Sequence, residues 1–198
     1  MYFNDIHILY YVLIGVIGLF VGQFIDLCNV RLPEYKRIFT KEIFSEYKSN
    51  FKPNYILMLI TSGIYIILLY NFGLQNTIIQ NIDLIKYIIL TPMLLSVVCI
   101  DYKLQIIPNR LVLTMFEIGL VFTFIYGISD INIALNMLAG MVAGAGIFLI
   151  ITLIGGLIAG KEAMGFGDVK LMGALRLVFW NFEYSSNCSN VIFNRSNN

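Results

Sequence analysis

Met164-Gly165-Phe166-Gly167-Asp168-Val169-Lys170-Leu171-Met172 sets an ionisable carboxylate between a glycine-rich loop and the start of an apolar helix. What surrounds this stretch decides how it reads. Of 198 residues, 59% are apolar and 13% charged, and mean hydropathy is +0.81. A soluble domain averages about 45–50% apolar and about 25% charged. The chain is therefore an integral membrane protein, and a carboxylate at a membrane border is costly enough to be read as functional, with a partner to find. The candidate partner is Asp101, which ends another apolar run and is followed by Ile107-Pro108-Asn109.

The hydropathy pattern predicts an all-α, polytopic bundle of about six transmembrane helices, each needing roughly 20 residues to span. Residues 1–30 hold the first, over 8–30. It does not read as a cleaved signal peptide, because no Lys or Arg precedes it and Asp5 is acidic. Gly18 and Gly22 form a GxxxG pair that admits a close neighbour helix, although membrane helices also tolerate glycines with no such role. His7 receives no role. Residues 31–54 form a short basic loop between helices. Residues 55–182 form the membrane core, with spans over 55–72, 84–100 (kinked at Pro92), 111–128 and 132–159, and a sixth from Val169. Asn109 is placed to cap the fourth span, and Gly140 and Gly144 repeat the GxxxG spacing in the fifth. Residues 183–198 form a polar tail expected to be disordered. Cys28, Cys99 and Cys188 are isolated and read as small apolar residues.

Cation placement orients this bundle. Of the thirteen Lys and Arg, ten lie in 31–52, 103–110 and 161–170, which are alternate connections. Residues 73–82 and 127–131 carry none, and Lys86, Arg176 and Arg195 are the exceptions. The positive-inside rule then puts the first residues outside and the three basic connections in the cytoplasm. Asp101 ends the third span and Asp168 begins the sixth, so both acids fall on the cytoplasmic face. Two acids at one face of a membrane bundle suggest an intramembrane aspartyl protease.

Asp101 with Ile107-Pro108-Asn109-Arg110-Leu111, and Gly165-Phe166-Gly167-Asp168-Val169-Lys170-Leu171, resemble the catalytic pair of bacterial type IV prepilin peptidases. Gly22-Gln23-Phe24-Ile25-Asp26 through Val30-Arg31-Leu32-Pro33 is similar to that family's first helix, which usually has Asn where this chain has Asp26. GxGD alone is shared with presenilin-like proteases, and the Ile-Pro-Asn and Arg-Leu-Pro patterns separate the two. The resemblance implies an aspartic endopeptidase of the bacterial inner membrane, cutting leaders from prepilins or pseudopilins just after a glycine, at the cytoplasmic face. Its expected partners are those substrates and the bilayer, with no nucleic acid. Many members also methylate the new N-terminus and carry two CxxC pairs in a large first loop. Here that loop is short and cysteine-free, so no zinc is expected, and neither S-adenosylmethionine nor methyl transfer is supported.

Two carboxylates sharing a water do not both ionise easily, so one is expected charged and one protonated. Asp168 at a helix N-terminus is the expected base and Asp101 at a helix C-terminus the expected acid, following the macrodipole. Gly165 and Gly167 are expected to support the loop by adopting positive φ beside an extended substrate, with Pro108 and Asn109 supporting the other acid. Lys170 reads as a headgroup anchor, and Glu117 and Arg176 lie at comparable depth, placed for an interhelical ion pair. Two other classes compete: a proton-coupled transporter using the acids as a relay, against which no internal repeat is found, and a catalytically inactive family member. The last draws on the C-terminal end, where Arg176 and Trp180 stand in place of the family's usual small residues. The expectation is a chain truncated near residue 176, lacking helices beside Asp168 and cleaving weakly or not at all.

Overall fold

The computed structural model describes residues 2–3, 6–33, 53–74, 78–160 and 165–179. Most of the expected 31–54 loop and the 183–198 tail, with Met164, Trp180 and Cys188, lie outside the described residues. A two-residue antiparallel pair opens the chain: β1 (Tyr2–Phe3) and β2 (Ile6–His7), with Tyr2 opposite His7. The remaining regular structure among the described residues is helical: α1 (Ile8–Arg31), α2 (Tyr55–Phe72), α3 (Ile78–Leu104), α4 (Asn109–Ser129), α5 (Ile131–Ala159) and α6 (Phe166–Phe179). The first five are long and apolar enough to cross a membrane. The protein is thus an all-α, multi-pass membrane protein, as its hydropathy predicts. α6 spans 14 described residues, roughly 21 Å at 1.5 Å per residue, against a bilayer core of about 30 Å. It begins at Phe166, three residues before the expected Val169, so Asp168 lies inside the first turn.

The helices fall into two compact units, Met1–Pro108 and Asn109–Asn198. In the first, His7 has a role that its sequence position did not suggest: its Nδ1 accepts from the Leu9 N–H at 3.3 Å and caps α1. The Gly18–Gly22 pair brings α1 and α2 into backbone contact. A Cβ added at Gly18 would lie 2.6 Å from Ser62 Cα, and one at Gly22 would lie 2.6 Å from Met58 Cα. Rising numbers on α1 meet falling numbers on α2, so the two helices are antiparallel. Asn54 locks one end of this pair. Its side chain caps α2 at the Leu57 N–H, while its Nδ2 donates to Asp26 Oδ1 at 2.9 Å and its N–H to Gln23 Oε1 at 3.2 Å.

α3 continues through Pro92. Proline supplies no N–H to the carbonyl four residues back, which leaves Ile88 without its helical donor in a medium where an unpaired carbonyl costs several kcal/mol. The buried Tyr65 hydroxyl, from α2, donates to that carbonyl at 2.8 Å. Lys86 is fully buried in the same helix; its Nζ lies 2.9 Å from Asp83 Oδ1 and 4.7 Å from the Tyr87 ring centroid. Lys86 is one of the exceptions to the loop-charge pattern because its charge is neutralised inside the unit.

In the second unit a short turn at Asp130 joins α4 to α5: its carboxylate accepts from the Asn132 N–H at 2.9 Å and caps α5. α6 packs on both. Gly119 of α4 admits Leu177 and Val178, both with no exposed surface, and Gly173 of α6 faces Ala145 of α5. Gly144, the second member of the other GxxxG pair, receives the aliphatic stem of Arg176. Met115, Met137 and Ala174 complete this core.

Candidate active site

Asp101 stands in the last turn of α3, exposed, beside an Ile100 that is buried and holds the turn in place. Immediately beyond, the helix is stopped by local backbone geometry. The Gln105 N–H donates to the Asp101 carbonyl at 2.8 Å, and Gln105 has φ of 52°, the only non-glycine positive φ among the described residues. This left-handed cap usually falls to glycine, and a side chain there costs on the order of 1 kcal/mol. The chain then leaves through Ile106, Ile107 and half-buried Pro108, whose ring keeps the preceding residue extended, and α4 starts at Asn109.

Asp168 is the third residue of α6 and half-buried. Its N–H donates to the Gly165 carbonyl at 3.1 Å, closing the first turn. The carboxylate folds back over Gly165, where an added Cβ would sit 3.4 Å from Oδ2. Positive φ is not what the glycines supply. Among the described residues the positive-φ glycines are Gly73 and Gly160, so Gly165 and Gly167 have ordinary φ, and Gly167 is helical. The helix starts earlier than expected, which puts Gly167 inside it and leaves Gly165 to provide open space over the carboxylate.

Asn109 and Lys170 are brought together: Nζ donates to Oδ1 at 3.3 Å, across 61 residues of sequence. Asn109, expected to cap the fourth span, is itself the first residue of α4, and its amide oxygen accepts from α6. Asp101 and Pro108 belong to the first unit, and Asn109, Gly165, Gly167 and Asp168 to the second. Glu117 and Arg176 form no ion pair. Gly119 faces α6 and Glu117, two residues earlier, lies about 200° round α4, while the Arg176 stem lies on α5.

Sequence reasoning missed two polar groupings. One is Asp83 beside Lys86, for which the i,i+3 spacing of opposite charges in an apolar helix is a legible signal. The Gln23–Asp26–Asn54 cluster was not legible, because its members lie on different helices, 28 and 31 residues apart in sequence. Asn29, near it in α1, is buried with its Oδ1 unpaired among the described residues.

Residues 88–190, just over half of the chain, match the model of the Type IV leader peptidase family. The chain belongs to that family. The matched stretch contains Asp101, Ile107-Pro108-Asn109 and Gly165-Phe166-Gly167-Asp168. A protein of Escherichia coli (strain K12) named prepilin leader peptidase/N-methyltransferase is 36% identical over 80 residues, 40% of this chain and 34% of that protein. One of the same name from Neisseria gonorrhoeae is 34% identical over 88 residues, 44% of this chain and 30% of that protein. The chain matches about a third of the length of these curated relatives. No solved structure matches it.

Proposed function

We propose that the protein is a prepilin leader peptidase, an aspartic endopeptidase that cuts the leaders of type IV prepilins or pseudopilins at the cytoplasmic face of the bacterial inner membrane. The observation that carries this reading is the family match, whose span includes both acids and the motifs around them. Asp101 and Asp168 are the catalytic residues. Asp168, in the first turn of α6, sits where the helix macrodipole favours an anion, and Asp101, in the last turn of α3, where it disfavours one. Ionised Asp168 takes a proton from water, and the oxygen attacks the scissile carbonyl carbon. Protonated Asp101 hydrogen-bonds the carbonyl oxygen as it becomes an oxyanion. The tetrahedral intermediate then collapses, the C–N bond breaks, and the amine leaves with a proton returned by the Asp168 carboxyl group. Gly165 keeps the face of the Asp168 carboxylate open, while Gly167, Pro108 and Asn109 shape the two turns. The reading invokes neither zinc nor S-adenosylmethionine.

Co-expression with a prepilin tests it. The family match favours the peptidase over the inactive, weakly cleaving reading, so the protein is expected to shorten the prepilin by its leader, and Asp101→Asn and Asp168→Asn are each expected to abolish cleavage while inserting into the membrane normally. Either half of a shared-proton pair is useless alone, so substantial cleavage by either variant would sink the aspartyl mechanism.

A further inference from the structure

We propose that Lys170 is a positioning residue for the Asp168 carboxylate, acting through Asn109; this rests on the leader-peptidase reading. The turn that carries Asp168 is the weakest part of its helix. It contains two glycines, Gly165 and Gly167, which lose the most freedom on ordering, and Phe166 is 58% exposed, so Val169 at its end is the apolar side chain that holds it. Farther along, α6 is held more firmly, with Ala174, Leu177 and Val178 buried and Gly119 of α4 receiving the last two. α4 and α6 run parallel, since Asn109 meets Lys170 and Gly119 meets Leu177. Their N-terminal ends therefore lie together, and the Lys170–Asn109 bond is the polar tether at that end.

The geometry suits a tether. Lys170 is two residues beyond Asp168, about 200° round the helix, so its stem reaches for α4 while the carboxylate turns back over Gly165. Asn109 is a steady reference point, because Pro108 before it restricts the backbone entering α4. A headgroup anchor needs only a free ammonium, whereas this one is directed to an amide oxygen 61 residues away. At 3.3 Å between exposed groups the bond adds little stability; its effect is to fix the rotation of the first turn.

The test uses purified protein in liposomes with a prepilin substrate. Lys170→Met and Asn109→Ala are each expected to lower kcat about tenfold with KM unchanged, since small misplacements of a reacting group are costly. The double variant should be no worse than the poorer single, and Lys170→Arg should recover most of the loss. Losses that multiply, a silent Asn109→Ala, or a Lys170→Met defect that follows anionic lipid content would overturn the proposal in favour of headgroup anchoring. If the wild-type chain cleaves nothing, the leader-peptidase reading fails on its own, and the tether is read without cleavage. With the native cysteines replaced and Asp168→Cys introduced, the rate of maleimide labelling should change at least threefold with Lys170→Met or Asn109→Ala, again without adding. An unchanged rate would overturn the tether.

Discussion

Two glycines illustrate how differently one residue type acts in this chain. At Gly165 an added methyl meets Asp168 Oδ2 at 3.4 Å, an ordinary contact. Gly165→Ala should therefore insert and fold normally, yet lower leader cleavage about tenfold by crowding the carboxylate's open face; unchanged cleavage in the liposome assay would show that this face is not used. At Gly18 the methyl would sit 2.6 Å from Ser62 Cα, which is backbone and cannot turn aside. Tyr65 offers a cleaner energetic test. Its hydroxyl serves the carbonyl that Pro92 orphans, so Tyr65→Phe should cost about 1–3 kcal/mol, the penalty of a buried group left unpaired. The reading is the unfolding midpoint in detergent, and no shift would mean that the carbonyl finds another donor.

At the scale of the helix, buried Thr61, Lys86 and Thr123 are paired within a turn and Tyr65 across a helix pair, whereas Asn29 Oδ1 is unpaired among the described residues. Lys86 is the extreme case, fully buried against Asp83. Removing one partner of a buried pair typically costs about 3–5 kcal/mol, so Lys86→Met should destabilise the first unit by that order. The double variant Asp83→Asn with Lys86→Met should recover much of the loss, because no unpaired charge then remains; a double variant as unstable as the single would place the cost in packing instead. Asp26 behaves differently, since it need only accept from Asn54 Nδ2. Asp26→Asn keeps an acceptor and should shift the midpoint little, whereas Asp26→Leu should unlock the start of α2.

For the whole molecule the open quantity is orientation, which the cation pattern predicts as N-terminus outside and residues 31–54 in the cytoplasm. A reporter fused at Lys48 should be active only as a cytoplasmic reporter, and periplasmic-type activity there would invert the map. Class and span positions are legible along the chain, because hydropathy is a local sum over about 20 residues: the expected 55–72 span coincides with α2, and 132–159 with α5 to within a residue. The sequence also marks Gly18 and Gly22, whose spacing puts both on one helix face and whose contact with α2 the structure shows. Helix packing fixes that Lys170 meets Asn109, that Tyr65 serves Ile88, that Asn54 ties α2 to Asp26, and that Glu117 and Arg176 form no ion pair. Each of these depends on how far one helix is rotated about its axis against another, and a residue's position along the chain does not carry that angle until the helices pack.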